Sequence, residues 1–456
     1  MSAGETNRAI EATFRIERAR LIAGLARMVR SIDRAEELAQ DALVAALSEW
    51  PKSGVPANPG AWLMTTAKRR AIDAIRRDRM RERKHEEIAR ELDGAPDDKA
   101  EAIDAAMDDD LGDELLGLIF TACHPMLSPD ARAALTLRVV GGLTTDEIAR
   151  AFLTSEPAIA QRIVRAKKAI AKAGLRFEVP RGADERAARL ASVLEVIYLI
   201  FNEGYAATAG DDLVRPALAQ EALRLGRILS GLMPDGAPES AEVLGLQALM
   251  EIQASRLNAR TGPDGNFVPL TEQDRTCWDR LLIRRGLDAL ARAEALGRTR
   301  ARNVSAHSDA NPHGDASPHG DGSPRGDGPY VLQAALAACH ARARTAADTD
   351  WPRIAALYDR LRVAMPSPVV DLNRAIAHSM AFGPEAGLRL LDEIAGDGAS
   401  GVLHNYAPLP AARGDFLYRA GRLAEACAEF EAAAKLTRNA RERAFLSARA
   451  KACGEK

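Results

Sequence analysis

The 456-residue chain has few aromatic residues, 4% of the total, which argues against sheets, since these draw on aromatic and β-branched side chains. Cysteine is sparse as well. Cys123, Cys277, Cys339, Cys427 and Cys453 stand singly with no CxxC pair, arguing against a disulfide framework or a zinc site and fitting a reducing compartment. Long apolar runs are missing: the longest, from Val196 to Phe201, is far too short to span a bilayer, and Met1 to Arg20 holds no apolar signal core. A soluble, cytoplasmic protein without a membrane partner is expected. No charge of one sign dominates, with 62 Lys and Arg against 64 Asp and Glu, so any electrostatic signal must be local. HExxH, P-loop, GxSxG and dinucleotide fingerprints are all absent, so no enzymatic role, cofactor or metal is expected.

What is present is a composition 47% hydrophobic and rich in Ala, Leu, Arg and Glu, which predicts an all-α chain of two or three compact units. Charge comes in blocks. Lys68 to Lys84 holds nine basic residues against three acids; Glu91 to Glu114 holds eleven acids against Lys99. A basic face followed by a solvated linker is the expected reading. Residues 303–329 repeat His/Arg, Gly, Asp and Pro with a six-residue period and almost nothing apolar, which predicts a disordered insert; weak metal binding by its His and Asp is the lesser alternative. Beyond Tyr330 the chain reads as short amphipathic pairs. Gly414, Leu417, Gly421, Leu423, Ala426, Phe430 and Ala433 take the small and large positions of a helix–turn–helix repeat about 34 residues long.

Three segments carry a functional signal. In Leu143 to Lys168, Thr144 and Glu147 form a capping box, and Ser155 caps a second helix with Pro157 in its first turn. On that helix Ile159, Ile163, Ala166 and Ile170 form one stripe. Gln161, Arg165, Lys168 and Lys172 lie opposite, flanked by Arg162, as a helix entering a DNA major groove requires. In Asn58 to Arg77, Asn58 is a good N-cap. Leu63, Ala67, Ala71, Ala74, Met64 and Ile75 share one side; Thr65, Thr66, Arg69, Asp73, Arg76 and Arg77 share the other, suited to phosphates, with Trp62 able to stack on an unstacked base or anchor the core. In Asp33 to Trp50, a helix start at Asp33 and Glu36 precedes an exposed stripe of Glu37, Gln40, Asp41 and Val44.

In this order the three segments resemble the sigma factors of bacterial RNA polymerase, specifically the two-region extracytoplasmic-function class. The resemblance implies that Glu37, Gln40, Asp41 and Val44 dock on core polymerase. It implies that Trp62, Thr65, Thr66, Arg69, Asp73, Arg76 and Arg77 open and read the −10 element, and that Ser155, Gln161, Arg162, Arg165, Lys168 and Lys172 contact the −35 element. The loop Pro51 to Ala57 would capture a flipped base. Arg69 stands where the class commonly has Asn. Leu199 to Tyr205, Gln273 to Asp279 and the repeat-like end resemble the subgroup with a tetratricopeptide-like extension.

The expected organisation is therefore region 2 at 1–90, an acidic linker at 91–112, region 4 at 113–178, a helical extension at 179–302, the insert at 303–329 and helical repeats at 330–456. The implied partners are core RNA polymerase, promoter DNA and a protein regulator docking on the repeats. The other reading is a helix–turn–helix regulator with a helical sensor and no polymerase docking. Asn202-Glu203-Gly204-Tyr205 and Gln273-Asp274-Arg275 are polar clusters inside apolar stretches, read as buried groups bridging helices.

Overall fold

The computed structural model describes residues 3–90, 111–152, 154–180, 182–205, 214–234, 236–237, 239–262, 267–310, 328–396, 406–437 and 439–454. Among these residues the structure is helical and without strands, apart from isolated bridge residues such as Thr261, paired with Phe267. None of the described helices is long and apolar enough to cross a membrane. The chain divides into two units, 1–197 and 198–456.

The first unit holds α1 (Ala3–Val29), α2 (Ile32–Ser53), α3 (Pro59–Arg90), α4 (Leu111–Ala122), α5 (Pro129–Val139), α6 (Thr145–Ala151), α7 (Glu156–Lys172) and the first part of α8 (Ala183–Tyr205). Helix starts follow local chemistry. Asn58 Oδ1 accepts the Ala61 N–H at 3.1 Å, and Ser128 and Ser155 accept N–H groups of Ala131 and Ala158. The capping box at α6 forms in both directions: Thr144 N–H donates to Glu147 at 2.7 Å and Glu147 N–H to Thr144 Oγ1 at 3.2 Å. Two expectations need correction. α2 starts at Ser31, not Asp33, because the extended Ser31 can reach the Arg34 N–H, which leaves the Asp33 and Glu36 carboxylates to act elsewhere. α2 also runs through Pro51 to Ser53 and ends at Gly54, whose φ of +86° lets its N–H close on the Trp50 carbonyl at 2.9 Å; the expected Pro51–Ala57 loop is shorter by three residues.

The core of α1 to α3 is built from Ile10, Leu21, Ile22 and Leu25, from Leu38, Ala42 and Trp50, and from Leu63, Ala67 and Ala71, all buried. α4 packs on α1, and α5, α6 and α7 pack on one another. α8 joins this unit through the buried Arg132, which donates to Ser192 Oγ and pairs with Glu195 at 3.0 Å.

The second unit continues with α9 (Pro216–Leu232), α10 (Ser240–Ala254), α11 (Arg280–Ala310), α12 (Pro329–Arg342), α13 (Trp351–Ala364), α14 (Pro368–Phe382), α15 (Pro384–Gly396), α16 (Pro408–Arg419), α17 (Leu423–Leu436) and α18 (Ala440–Gly454). One core joins Leu249 and Ile252 of α10, Leu290 of α11, Leu332 of α12 and Ile354 of α13; a second joins Leu388, Phe416, Phe430 and Leu446. In the α16–α17 hairpin Gly421 turns the chain at φ +79°, and a Cβ on Gly414 would sit 3.0 Å from the Phe430 ring, which is why both positions are small. The insert expected from residue 303 begins as helix instead: α11 carries on to Ala310, because the run from Arg300 through Ala301 and Arg302 to Asn303 has ordinary helix propensity and the first proline is Pro312. The rest of that repeat, and the acidic run up to Asp110, lie outside the described residues.

Candidate nucleic-acid interface

α7 buries Ile159, Ile163, Ala166 and Ile170. Gln161, Arg165, Lys168 and Lys172 are exposed on the opposite side, with Ser155 exposed at the cap. Arg162 is half-buried and reaches Asp130 of α5 at 3.7 Å, so one of the expected contacts is partly engaged within the domain. The outward face offers fork and point cations with one amide, the donors that base edges and phosphates accept from.

On α3, Leu63, Ala67, Ala71 and Ala74 are buried, whereas Thr65, Arg69, Asp73, Arg76 and Arg77 are exposed and Thr66 is half-buried. Trp62 is half-buried, its ring edge-on to the buried Trp50 at 5.3 Å, so it is tethered to the core while keeping part of its surface open. Arg77 Nε turns back to the Asp73 carbonyl at 3.2 Å. Arg70, outside the expected set, donates to the Asp41 carbonyl at 2.8 Å and lies 3.7 Å from its carboxylate, tying α3 to α2.

Glu37, Gln40, Asp41 and Val44 are all exposed along α2, and Val44 shows 57% of its surface. Glu37 pairs with Arg34 at 3.3 Å. One turn earlier on the same helix lies a contact that sequence reading missed. Glu36 receives Arg18 of α1 at 2.9 Å and Lys167 of α7 at 2.5 Å, with Arg138 of α5 at 3.8 Å; Lys167 also meets Asp33 at 2.8 Å. Arg18 donates in addition to the Arg138 carbonyl at 2.7 Å. Burial lowers the Arg18 pKa, and the Glu36 charge opposes that shift. The helix carrying the outward cationic face is thus clamped, through its flank, to the start of α2. Lys167 lies between the two stripes of α7, and nothing local marks it as different from Lys168.

A profile for sigma-70 region 2 matches residues 14–81 and one for sigma-70 region 4 matches residues 118–170. A family of unknown function, DUF6596, matches residues 189–294. An uncharacterized protein of Rhizobium meliloti (strain 1021) is 39% identical over 430 residues, covering 94% of this chain and 92% of that protein. No solved structure matches. With both DNA-reading regions present in order and a relative aligned along nearly the whole length, the chain shares a family with the Rhizobium meliloti protein and belongs to the sigma-70 family of promoter-recognition factors.

Proposed function

We propose that this chain is a sigma factor of the extracytoplasmic-function class that docks on core RNA polymerase through Glu37, Gln40, Asp41 and Val44, reads and opens the −10 element with the α3 face, and reads the −35 element with α7. The observation that carries the reading is α7 itself: four apolar side chains inward, and Gln161, Arg165, Lys168 and Lys172 outward, inside the segment that matches region 4. The polar side of α3, exposed at Thr65, Arg69, Asp73, Arg76 and Arg77, supports a second DNA contact. A simple repressor needs neither that face nor the α2 stripe, which favours this reading over a helix–turn–helix regulator without polymerase.

The helical extension, 179–456, regulates these regions from the cytoplasm, its tetratricopeptide-like hairpins offering a surface for a protein regulator. Run-off transcription with core polymerase on genomic fragments tests the central claim. Specific transcripts above the core-only background are expected; their absence, with a complex to polymerase confirmed, refutes it. Deleting residues 311–327 should leave output intact. Cutting after Val179 is a less clean test of regulation, because it also strips Arg132 of Ser192 and Glu195.

A further inference from the structure

Asn202-Glu203-Gly204-Tyr205 and Gln273-Asp274-Arg275 lie about 70 residues apart, yet the second unit brings them together. Their acids are turned away. Glu203 pairs with Arg215, and the Asp274 carboxylate accepts the Thr276 N–H at 2.8 Å and hydroxyl at 2.7 Å. What meets instead is aromatic and cationic. The Tyr205 ring carries Arg260 at 4.1 Å and Arg256 at 5.7 Å from its centroid; Arg256 also lies 5.7 Å from Trp278, which carries Arg275 at 5.0 Å.

The three guanidiniums are not equivalent. Arg275 is a brace: it donates to the carbonyls of His340 at 2.7 Å and Ala343 at 2.8 Å and to Thr349 Oγ1 at 3.0 Å. Arg256 and Arg260 have neither an ion pair nor a side-chain hydrogen bond among the described residues; the Nε of each is buried without a partner, as are Arg275 Nε, Trp278 Nε1 and Gln273 Oε1. Both residues are half-buried, so solvent reaches them. The imidazole of His340, edge-on to Trp351, adds no charge, since burial first, then Arg256 and Arg275, hold its pKa at about 3.

A ring face attracts a cation but accepts none of a guanidinium's five N–H donors in the way an oxygen does. Two partly buried cations with no counter-charge among the described residues leave a local excess of two between them, matched by one dianion. A phosphoryl group carries about −1.5 to −2 at neutral pH and presents oxygens at the spacing of an arginine fork. We propose that Arg256 and Arg260, walled by Tyr205 and Trp278, form a binding site for a phosphoryl dianion, supplied as inorganic phosphate or as a small phosphomonoester. The site lies in the segment matched by the family of unknown function and does not depend on the promoter-reading assignment.

The full-length chain is titrated with sodium phosphate, glycerol phosphate, sodium acetate and sodium chloride at matched ionic strength, with Tm and tryptophan fluorescence as readouts. A saturable rise in Tm with phosphate or glycerol phosphate, absent with chloride, is expected. A stronger response to glycerol phosphate assigns the site to an ester; an equal one assigns it to free phosphate. Arg260→Lys keeps the charge and loses the fork, so apparent affinity should fall about ten-fold. Arg256→Gln should abolish the response, and if that variant does not fold, Arg260→Lys alone decides. The proposal is overturned if phosphate does no more than chloride, if acetate matches it, or if Arg260→Lys responds as the wild type does.

Discussion

Replacing Glu36 by Gln should loosen α7 from α2 far more than a surface charge change would. Its carboxylate holds Arg18 at 2.9 Å and Lys167 at 2.5 Å, and those side chains are only 12% and 10% exposed. At about 3 Å and an effective dielectric near 20, each pair is worth roughly 5 kcal/mol of Coulomb energy. Desolvation offsets most of it, so the measurable quantity is the cost of removing the shared carboxylate and leaving Arg18 with the Arg138 carbonyl and Lys167 with Asp33, about 2–3 kcal/mol. Lys167→Met removes one cation and leaves Glu36 with Arg18, so it should cost less, about 1–2 kcal/mol. Because both act in one network, the double variant should fall short of the sum by about 1–2 kcal/mol. Hydrogen exchange on the full chain, read at the amides of α2 and α7 with α10 to α14 as internal control, resolves these local openings. Costs that add to within about 0.5 kcal/mol would show that Lys167 and Glu36 are neighbours without coupling.

Arg165→Ala should weaken upstream promoter binding by the holoenzyme by about 1–3 kcal/mol if the side chain meets a base, or lower the salt slope by about one if it meets a phosphate; filter binding over a salt series separates these, and no change in either would place Arg165 away from DNA. Charge reversal at the exposed Asp41 should reduce pull-down of core polymerase, while loss of its exposed pair with Arg70 costs no more than about 1 kcal/mol in the melting curve; undiminished pull-down would leave the α2 stripe a solvated face. His340 should make the second unit acid-sensitive. The unfolded chain takes up its proton near pH 6.5, whereas burial, Arg256 and Arg275 delay uptake in the folded state to about 3. Stability is therefore complete above pH 6.5 and falls by about 1.4 kcal/mol per unit as pH drops toward 3. In phosphate-free buffer His340→Gln should have the shallower slope, and identical slopes would refute the assignment.

Much of the N-terminal half was readable because its signals are local. A capping box, an asparagine before Pro59 and a stripe of isoleucines each act within a turn or two of chain, and Thr144 with Glu147, Asn58 with Ala61, and Ile159 with Ile163 behave as their spacing implies. Misses arose where a residue's partner is distant. Asp33 and Glu36 resemble the first-turn acids of a helix start, yet their partner Lys167 is more than 130 residues away. Gln273 to Arg275 and Asn202 to Tyr205 stood out as polar groups in apolar surroundings, but their meeting point is set by Arg256 and Arg260, which look like ordinary residues after a helix end. The extent of α11 is illegible for another reason: the low-complexity sequence beyond Pro312 hides the ordinary helix propensity of residues 303–310.

The scarcity of aromatic residues has a practical yield in the placement of the four tryptophans. Trp50 and Trp62 touch each other at the start of α3, so their emission reports the element assigned to promoter opening. Trp278 lies under Arg256 and Arg275, and Trp351 against His340, so theirs reports the cationic cluster. Each unit thus carries its own pair of intrinsic fluorophores. Replacing one pair with Phe leaves emission from the other alone, so a Trp50→Phe/Trp62→Phe variant and a Trp278→Phe/Trp351→Phe variant assign an intensity change to one unit or the other without an added label.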